Sequence, residues 1–302
     1  MKKRKDQIEY FALCTVVKIV QKLSPNTAVK IGRGLGRFLF TFVPIRKKIV
    51  LDNLSRTFPD KSEKERHQIA RMTYQNFGQT FIEFLRNPVR TKAETLDRVR
   101  LHNDHLLREA IKAGNGIILI SGHFGNWEMM ASVVAALGYP AVVIARPQRN
   151  RLVDSMINQF RQSAGIETVP LGFGVRTFLR ALGQNKVVAL LADQDAHRDG
   201  VFVDFLGRPS STAPGPAAFV LKTGAQLIFV TSVLRRDGRY DAYFEKIKTD
   251  DLSEFNKDNI RILTQRHAAK LEEKVRRWPH HWFWMHRRWK TTPEKARGKG
   301  RP

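Results

Sequence analysis

"IILISGHFGNWEMM", residues 117–130, decides how this chain is read. Ile117–Ile120 is a continuous apolar run with no polar alternation, the pattern of a strand buried on both faces. It ends at Ser121-Gly122, and His123, a Phe-Gly-Asn-Trp spacer and Glu128 follow, leading into the helix-like "MMASVVAALG". The alternation recurs downstream. "AVVIARP" (141–147), "KVVALLADQD" (186–195) and "QLIFVTSVLRR" (226–236) read as strands; "NRLVDSMINQFRQSAG" (150–165) and "GVRTFLRALGQN" (174–185) read as helices between them. Strands alternating with helices predict an α/β fold, a largely parallel central sheet flanked by helices. "RYDAYFEKIK" (239–248) reads as a strand of a later pair, and residues 259–279 as a late helix.

Outward from this centre, residues 46–110 read as helical. Asp60 or Ser62 is placed to cap a helix along which Ile69, Met72, Phe77, Phe81 and Phe84 recur at helical spacing. Residues 1–45 read as a helical, membrane-associating extension and 46–290 as one α/β domain. From Arg287 onward there are seven basic residues against one acid, Glu294, and no apolar periodicity, so 291–302 reads as a disordered basic tail.

The chain has 302 residues, of which 42% are hydrophobic, enough for a real core. Lys plus Arg number 53 against 28 Asp plus Glu, a formal net charge of +25. Such an excess points to a polyanionic neighbour: an anionic membrane surface, an acidic protein or a phosphorylated substrate, or nucleic acid. Charge alone supports the last; no RNA-binding aromatic signature, helix-turn-helix spacing or zinc knuckle accompanies it, and no nucleic-acid partner is expected. The single cysteine, Cys14, excludes an internal disulfide and a cysteine-based zinc site. Neither amino-terminal apolar stretch reaches the roughly 18–20 uninterrupted residues of a spanning helix. Both are flanked by positive charge, Lys2–Lys5 before and Lys18, Lys22, Lys30, Arg33, Arg37 and Arg46–Lys48 within or after, which suits a segment lying on or dipping into the cytoplasmic leaflet; a single-pass anchor and amphipathic helices packed on a soluble core are the alternatives.

Ligand and catalytic sites of open parallel sheets lie at the carboxyl ends of the strands, where His123 falls. Residues five apart on a continuous helix lie about 140° apart around its axis. His123 and Glu128 therefore meet only if His123-Phe-Gly-Asn forms a turn and Glu128 opens the helix; Gly125 permits that turn and Asn126 is a natural cap. On this reading Glu128 accepts from one imidazole nitrogen and the other is free to take a proton. No serine or cysteine sits in a nucleophile elbow, so the pair is suited to deprotonating a substrate hydroxyl directly; a structural His–Glu hydrogen bond is the alternative.

"SGHFGNWE" resembles the motif of lysophospholipid-type acyltransferases, and more closely of the lipid A biosynthesis acyltransferases. "KIVLDNLSRTFPDKSEKE", "VIARPQRN", "LLADQDAHRDGVFVDFLGRPSSTAPGPAAFVLKTGAQL" and "WPHHWFWMHRRWK" are similar to other blocks of that family, in order, over roughly residues 45–290. The resemblance implies transfer of a fatty acyl chain from acyl carrier protein to a hydroxyl of a lipid A precursor or similar anionic glycolipid, at the cytoplasmic face of the inner membrane, with no cofactor. It implies His123 as general base and Glu128 as its orienting partner. Arg146 and Arg161 become candidates for phosphate or oxyanion binding. Asp193 and Asp195, at another strand end, and Gly125 and Asn126 become candidates for binding substrate. No ligand set supports a metal at Asp193-x-Asp195. Tryptophans 278, 282, 284 and 289 interleaved with His and Arg fit a membrane edge or an acceptor site, or aromatics packed on the core. Another acceptor (a lysophospholipid, an ornithine lipid or a mannosylated lipid) fits the same motifs. The non-catalytic alternatives are a nucleic-acid-binding protein and a membrane-peripheral scaffold.

Overall fold

The computed structural model describes residues 2–43, 45–171 and 174–297. The apolar run of the motif forms β2 (Ile117–Ser121), the middle of a seven-stranded sheet. In chain order the strands are β1 (Val99–His102), β2, β3 (Ala141–Ala145), β4 (Ile166–Pro170), β5 (Val187–Leu191), β6 (Val201–Phe205), β7 (Arg208–Thr212), β8 (Gln226–Leu234) and β9 (Tyr240–Lys246). The sheet order is β1-β9-β8-β2-β5-β3-β4, parallel except where β8 meets β9; β6 and β7 form a separate hairpin.

The helices are α1 (Lys2–Gln21), α2 (Pro25–Phe42), α3 (Lys47–Thr57), α4 (Glu63–Leu85), α5 (Lys92–Asp97), α6 (His105–Ala113), α7 (Trp127–Ala136), α8 (Arg151–Ser163), α9 (Gly174–Gly183), α10 (Gly215–Thr223), α11 (Lys257–Arg277) and α12 (Pro293–Arg297). The cap of α4 is Ser62: its hydroxyl accepts from Glu65 N–H while the Glu65 carboxylate accepts from Ser62 N–H, a capping box.

Alternation along β2 separates the core into two faces. Ile118 and Ile120 pack with Phe178 and Leu182 of α9, Ala217 and Val220 of α10, and Leu263, Leu271 and Val275 of α11. Ile117 and Leu119 pack with Leu107 of α6 and Met129, Val133 and Val134 of α7. The chain leaves β2 through α7 toward β3, and leaves β5 through β6–β7 and α10 toward β8, on the opposite side. The adjacent ends of β2 and β5 thus flank a point where the winding reverses, the place where an open sheet forms a crevice.

Four segments go beyond or against the reading of the sequence. Residues 46–110 are not wholly helical, because Val99–His102 pairs with β9 as an edge strand. Ile166–Pro170 is a strand, and "FLGRPS" is a two-residue hairpin turn. Leu206 and Gly207 both have positive φ (54° and 74°), as the tightest hairpins require; the leucine hid a turn that an Asn would have announced. The carboxyl end expected to be a disordered tail from residue 291 is instead packed at Thr291, whose hydroxyl donates to Asp195, and helical as α12 over Pro293–Arg297; just before it Arg288 is 1% exposed. Residues 298–302 lie outside the described part.

The amino-terminal helices are not a detached arm. α2 lies against α4 through Gly32, Gly36 and Gly78; a Cβ on Gly36 would stand 2.1 Å from the Tyr74 carbonyl oxygen. Among the described residues no helix is long and apolar enough to cross a membrane. α1 and α2 nonetheless expose Ile8, Phe11, Ile19, Phe38 and Phe42, the last at 70%, beside exposed Lys18, Lys22, Lys30 and Arg37.

Candidate active site

β2 and β5 pair in parallel with Ser121 opposite Leu191, so two residues further on His123 comes level with Asp193. The Asp193 carboxylate accepts three bonds: from His123 Nδ1 at 2.7 Å, from the His123 backbone N–H at 2.8 Å and from the Trp282 indole N–H at 2.8 Å. The aspartate side chain is 3% exposed and the imidazole 21%. Burial alone would push the Asp193 carboxyl up; the His123 charge, its two N–H donors and Trp282 outweigh burial and hold it at about 2. An ionised acceptor on Nδ1 fixes the tautomer, with the proton on Nδ1 and the lone pair on Nε2. Nε2 faces the partly open side, where the Gln194 amide nitrogen lies 3.3 Å away. Trp127 stands edge-on to the imidazole at 5.1 Å between centroids, and Phe283 at 6.1 Å.

The partner of His123 is therefore Asp193, which corrects the expected pairing with Glu128. Glu128 does sit in the first turn of α7 as the turn geometry required, but α7 carries it toward α8. There both its oxygens are taken by the Arg161 fork, Nε–H at 3.1 Å and Nη2–H at 2.6 Å. Arg161, expected on substrate phosphate or oxyanion, is thus engaged by protein. Arg146 is exposed at the end of β3. Asp195 is buried; its carboxylate accepts from Thr291 and lies 3.2 Å from His197 Nδ1.

Gly125 and Asn126 form the base of the loop rather than its open side. Asn126 is 1% exposed; its side chain caps α7 through Met129 N–H, donates to Glu83 and lies within hydrogen-bond reach of the Tyr240 hydroxyl. Glu83 is itself buried and paired with Arg98 at 2.7 Å. Ser121 donates to the Val230 carbonyl, so it offers no nucleophile.

Sequence reasoning missed the carboxyl-terminal strap, residues 278–291, that holds both loops. Gly125 N–H donates to the His281 carbonyl, Phe283 N–H to that of His123, and Asp195 N–H to His286 Nε2. From below, Asn53 of α3 donates to the Trp284 and His286 carbonyls and Asn76 of α4 to that of His280. The tryptophan-rich composition marked the segment. Its partners, 89 residues away in the case of Trp282 and Asp193, left no local signal. Trp282 and Trp284 are buried core residues, not membrane-edge ones.

The strap and α11 also predict acid sensitivity. His267 and His281 are buried and neutral, each pushed down to about 3, His267 by burial and then the nearby Arg288 charge, His281 chiefly by burial and then by the neighbouring His280. The unfolded chain binds these protons from about pH 6.5 downward and the folded chain does not, so stability is complete above pH 6.5 and is lost as pH falls toward 3. The loss is about 3 kcal/mol per pH unit for the two together. Urea midpoints at pH 7 and pH 5 measure it, and equal midpoints would refute it.

Comparison with known proteins gives the site its context. A family model described as bacterial lipid A biosynthesis acyltransferase matches residues 2–291. A phosphatidylinositol mannoside acyltransferase of Mycobacterium tuberculosis (strain ATCC 25618 / H37Rv) is 36% identical over 162 residues, 51% of this chain and 51% of that protein. The chain thus spans about half the length of that mycobacterial relative. The lipid A biosynthesis lauroyltransferase and palmitoleoyltransferase of Escherichia coli (strain K12) are each 25% identical, covering 92% and 87% of this chain and 90% and 85% of theirs. With the family model matching nearly the whole length, this chain belongs to the bacterial lipid A biosynthesis acyltransferase family.

Proposed function

We propose that this protein is an O-acyltransferase that moves a fatty acyl chain from a thioester to a hydroxyl of an anionic glycolipid at a membrane surface. The observation that carries the reading is a histidine at a strand end with Asp193 on Nδ1, its Nε2 lone pair on the open side, and no protein nucleophile beside it. His123 Nε2 takes the acceptor hydroxyl's proton as its oxygen attacks the thioester carbonyl. The C–S bond breaks, the thiolate takes the proton back from the imidazolium, and an ester and a free thiol leave. Asp193 holds the ring and offsets the charge it acquires.

Acyl carrier protein is the proposed donor: it is acidic, and the +25 charge favours its encounter. Arg146, exposed directly after the end of β3, is the proposed phosphate contact. The apolar and basic surface of α1 and α2 is the proposed seat on an anionic membrane, with the inner membrane's cytoplasmic face as the location. A second acceptor is supported by a particular observation: identity is 36% to the mannoside acyltransferase over its matched half, against 25% to the lipid A enzymes.

The test incubates the full chain with anionic vesicles, an acyl-carrier-protein or coenzyme A thioester, and either a lipid A precursor or a mannosylated phosphoinositide. Mass spectrometry is expected to show one added acyl group on one acceptor; no ester on either refutes the reading. In the same vesicles, Phe38→Ser with Phe42→Ser is expected to weaken sedimentation with lipid at least ~10-fold, from about 1.5–3 kcal/mol of apolar contact per side chain. Unchanged sedimentation would refute the proposed seat.

A further inference from the structure

Arg288 is buried deep behind the site, and no carboxylate among the described residues lies within ion-pair distance of it. Its fork reaches the Ser211 carbonyl and Thr212 hydroxyl at the end of β7, and the Gln194 carbonyl at 3.4 Å. Its Nε has no partner. With Asp193, Ser121, Thr212 and His267 it lines a cavity of about 10 Å³, roughly the room one water needs. Burying a guanidinium without a direct counter-ion is costly, and the charges that act on it here are the Asp193 and Asp195 carboxylates.

The charged and titratable groups facing this cluster come from three elements. The loop after β5 supplies Asp193, Asp195 and, on Asp195, His197; the strap supplies His286 and Arg288; α11 supplies His267. Burial pushes His286 down to about 4 and His267 to about 3, so both are neutral at pH 7. Arg288 falls to about 10, chiefly through burial, and keeps its charge. The charges around His123 are then two carboxylates and one guanidinium. Two unopposed carboxylates would favour the imidazolium and leave a poor base.

We propose that Arg288 is a positioning residue for the His123–Asp193 pair: it ties the Asp193–Asp195 loop to β7, and its charge offsets one carboxylate so that His123 remains free to accept a proton. The inference rests on reading His123 as the base, and its test is arranged to fail separately from that reading.

Arg288→Gln and Arg288→Lys are compared in the full chain. One measurement is the titration midpoint of the His123 ring NMR signal, assigned by its loss in His123→Gln; the other is the acid limb of the acyl-transfer pH profile. Arg288→Gln is expected to move both upward by about one pH unit, the size of a single nearby charge in a partly screened site, and to lower transfer at pH 7 at least ~10-fold. Arg288→Lys is expected to leave the midpoint in place while transfer falls, because an ammonium keeps the charge and loses the fork. A folded Arg288→Gln with an unmoved midpoint overturns the proposal, as does an Arg288→Lys midpoint displaced by a full unit. Should Arg288→Gln not fold, Arg288→Met takes its place, with the same upward shift expected and an unmoved midpoint overturning the proposal. A displaced Arg288→Gln midpoint in a protein that transfers no acyl group supports the inference and refutes the proposed function.

Discussion

Asp193→Asn is expected to lower acyl transfer by about 10²–10⁴-fold, with His123→Gln at least as severe, and the double variant no worse than His123→Gln alone. The asparagine keeps the shape but not the chemistry. Its single oxygen cannot accept from both His123 Nδ1 and the two N–H groups now on Oδ2. If that oxygen stays with the backbone and Trp282, its amide donates toward Nδ1, and the imidazole must carry its proton on Nε2, the wrong atom for a base. Glu128→Gln is expected to cost less, because the carboxylate it removes faces Arg161 rather than the imidazole. Steady-state rates for the variants, with circular dichroism to confirm folding, decide the matter. Near-wild-type transfer in Asp193→Asn beside an inactive Glu128→Gln would reverse the assignment.

Gly125→Ala is expected to destabilise the protein by at least about 3 kcal/mol, roughly 6–10 °C in melting temperature, or to abolish soluble expression. Gly125 has φ +59°, and a Cβ there would stand 1.9 Å from the Ser232 carbonyl oxygen on the neighbouring strand. Backbone on both sides leaves nothing to yield: Gly125 N–H is bonded to the His281 carbonyl, and the next residue's N–H to the Ser232 hydroxyl. Gly34→Ala is the control. Gly34 is helical, and a Cβ there would meet nothing within 4 Å, so the change should be neutral or add up to about 1 kcal/mol. Equal melting temperatures for Gly125→Ala and the wild type would show that the loop can move off β8.

Much of the fold was legible because burial leaves local marks. The apolar runs of β2, β3, β5 and β8 are uninterrupted, and the helices before or between them end at Gly114, Gly138, Gly165 and Gly224, each with positive φ. Edge strand β1 and the β6–β7 hairpin were illegible for the same reason reversed. β1 has only four residues and a half-polar face, and Leu206 occupies a turn position normally betrayed by Asn or Gly.

The sequence alone placed His123 at the mouth of a buried strand, required a turn before Glu128, and put Asp193 at a second strand end. It paired His123 with the wrong carboxylate, Glu128, and left Asp193 as a residue for positioning substrate. Separation along the chain favours Glu128, five residues away; the sheet favours Asp193, seventy residues away, because β5 lies beside β2 in a register that sets the two strand ends level. Pairing two strands fixes a distance between side chains that no count of intervening residues contains. The same holds for Trp282 and Arg288, whose roles depend on a carboxyl-terminal strap folding back over loops formed far earlier in the chain.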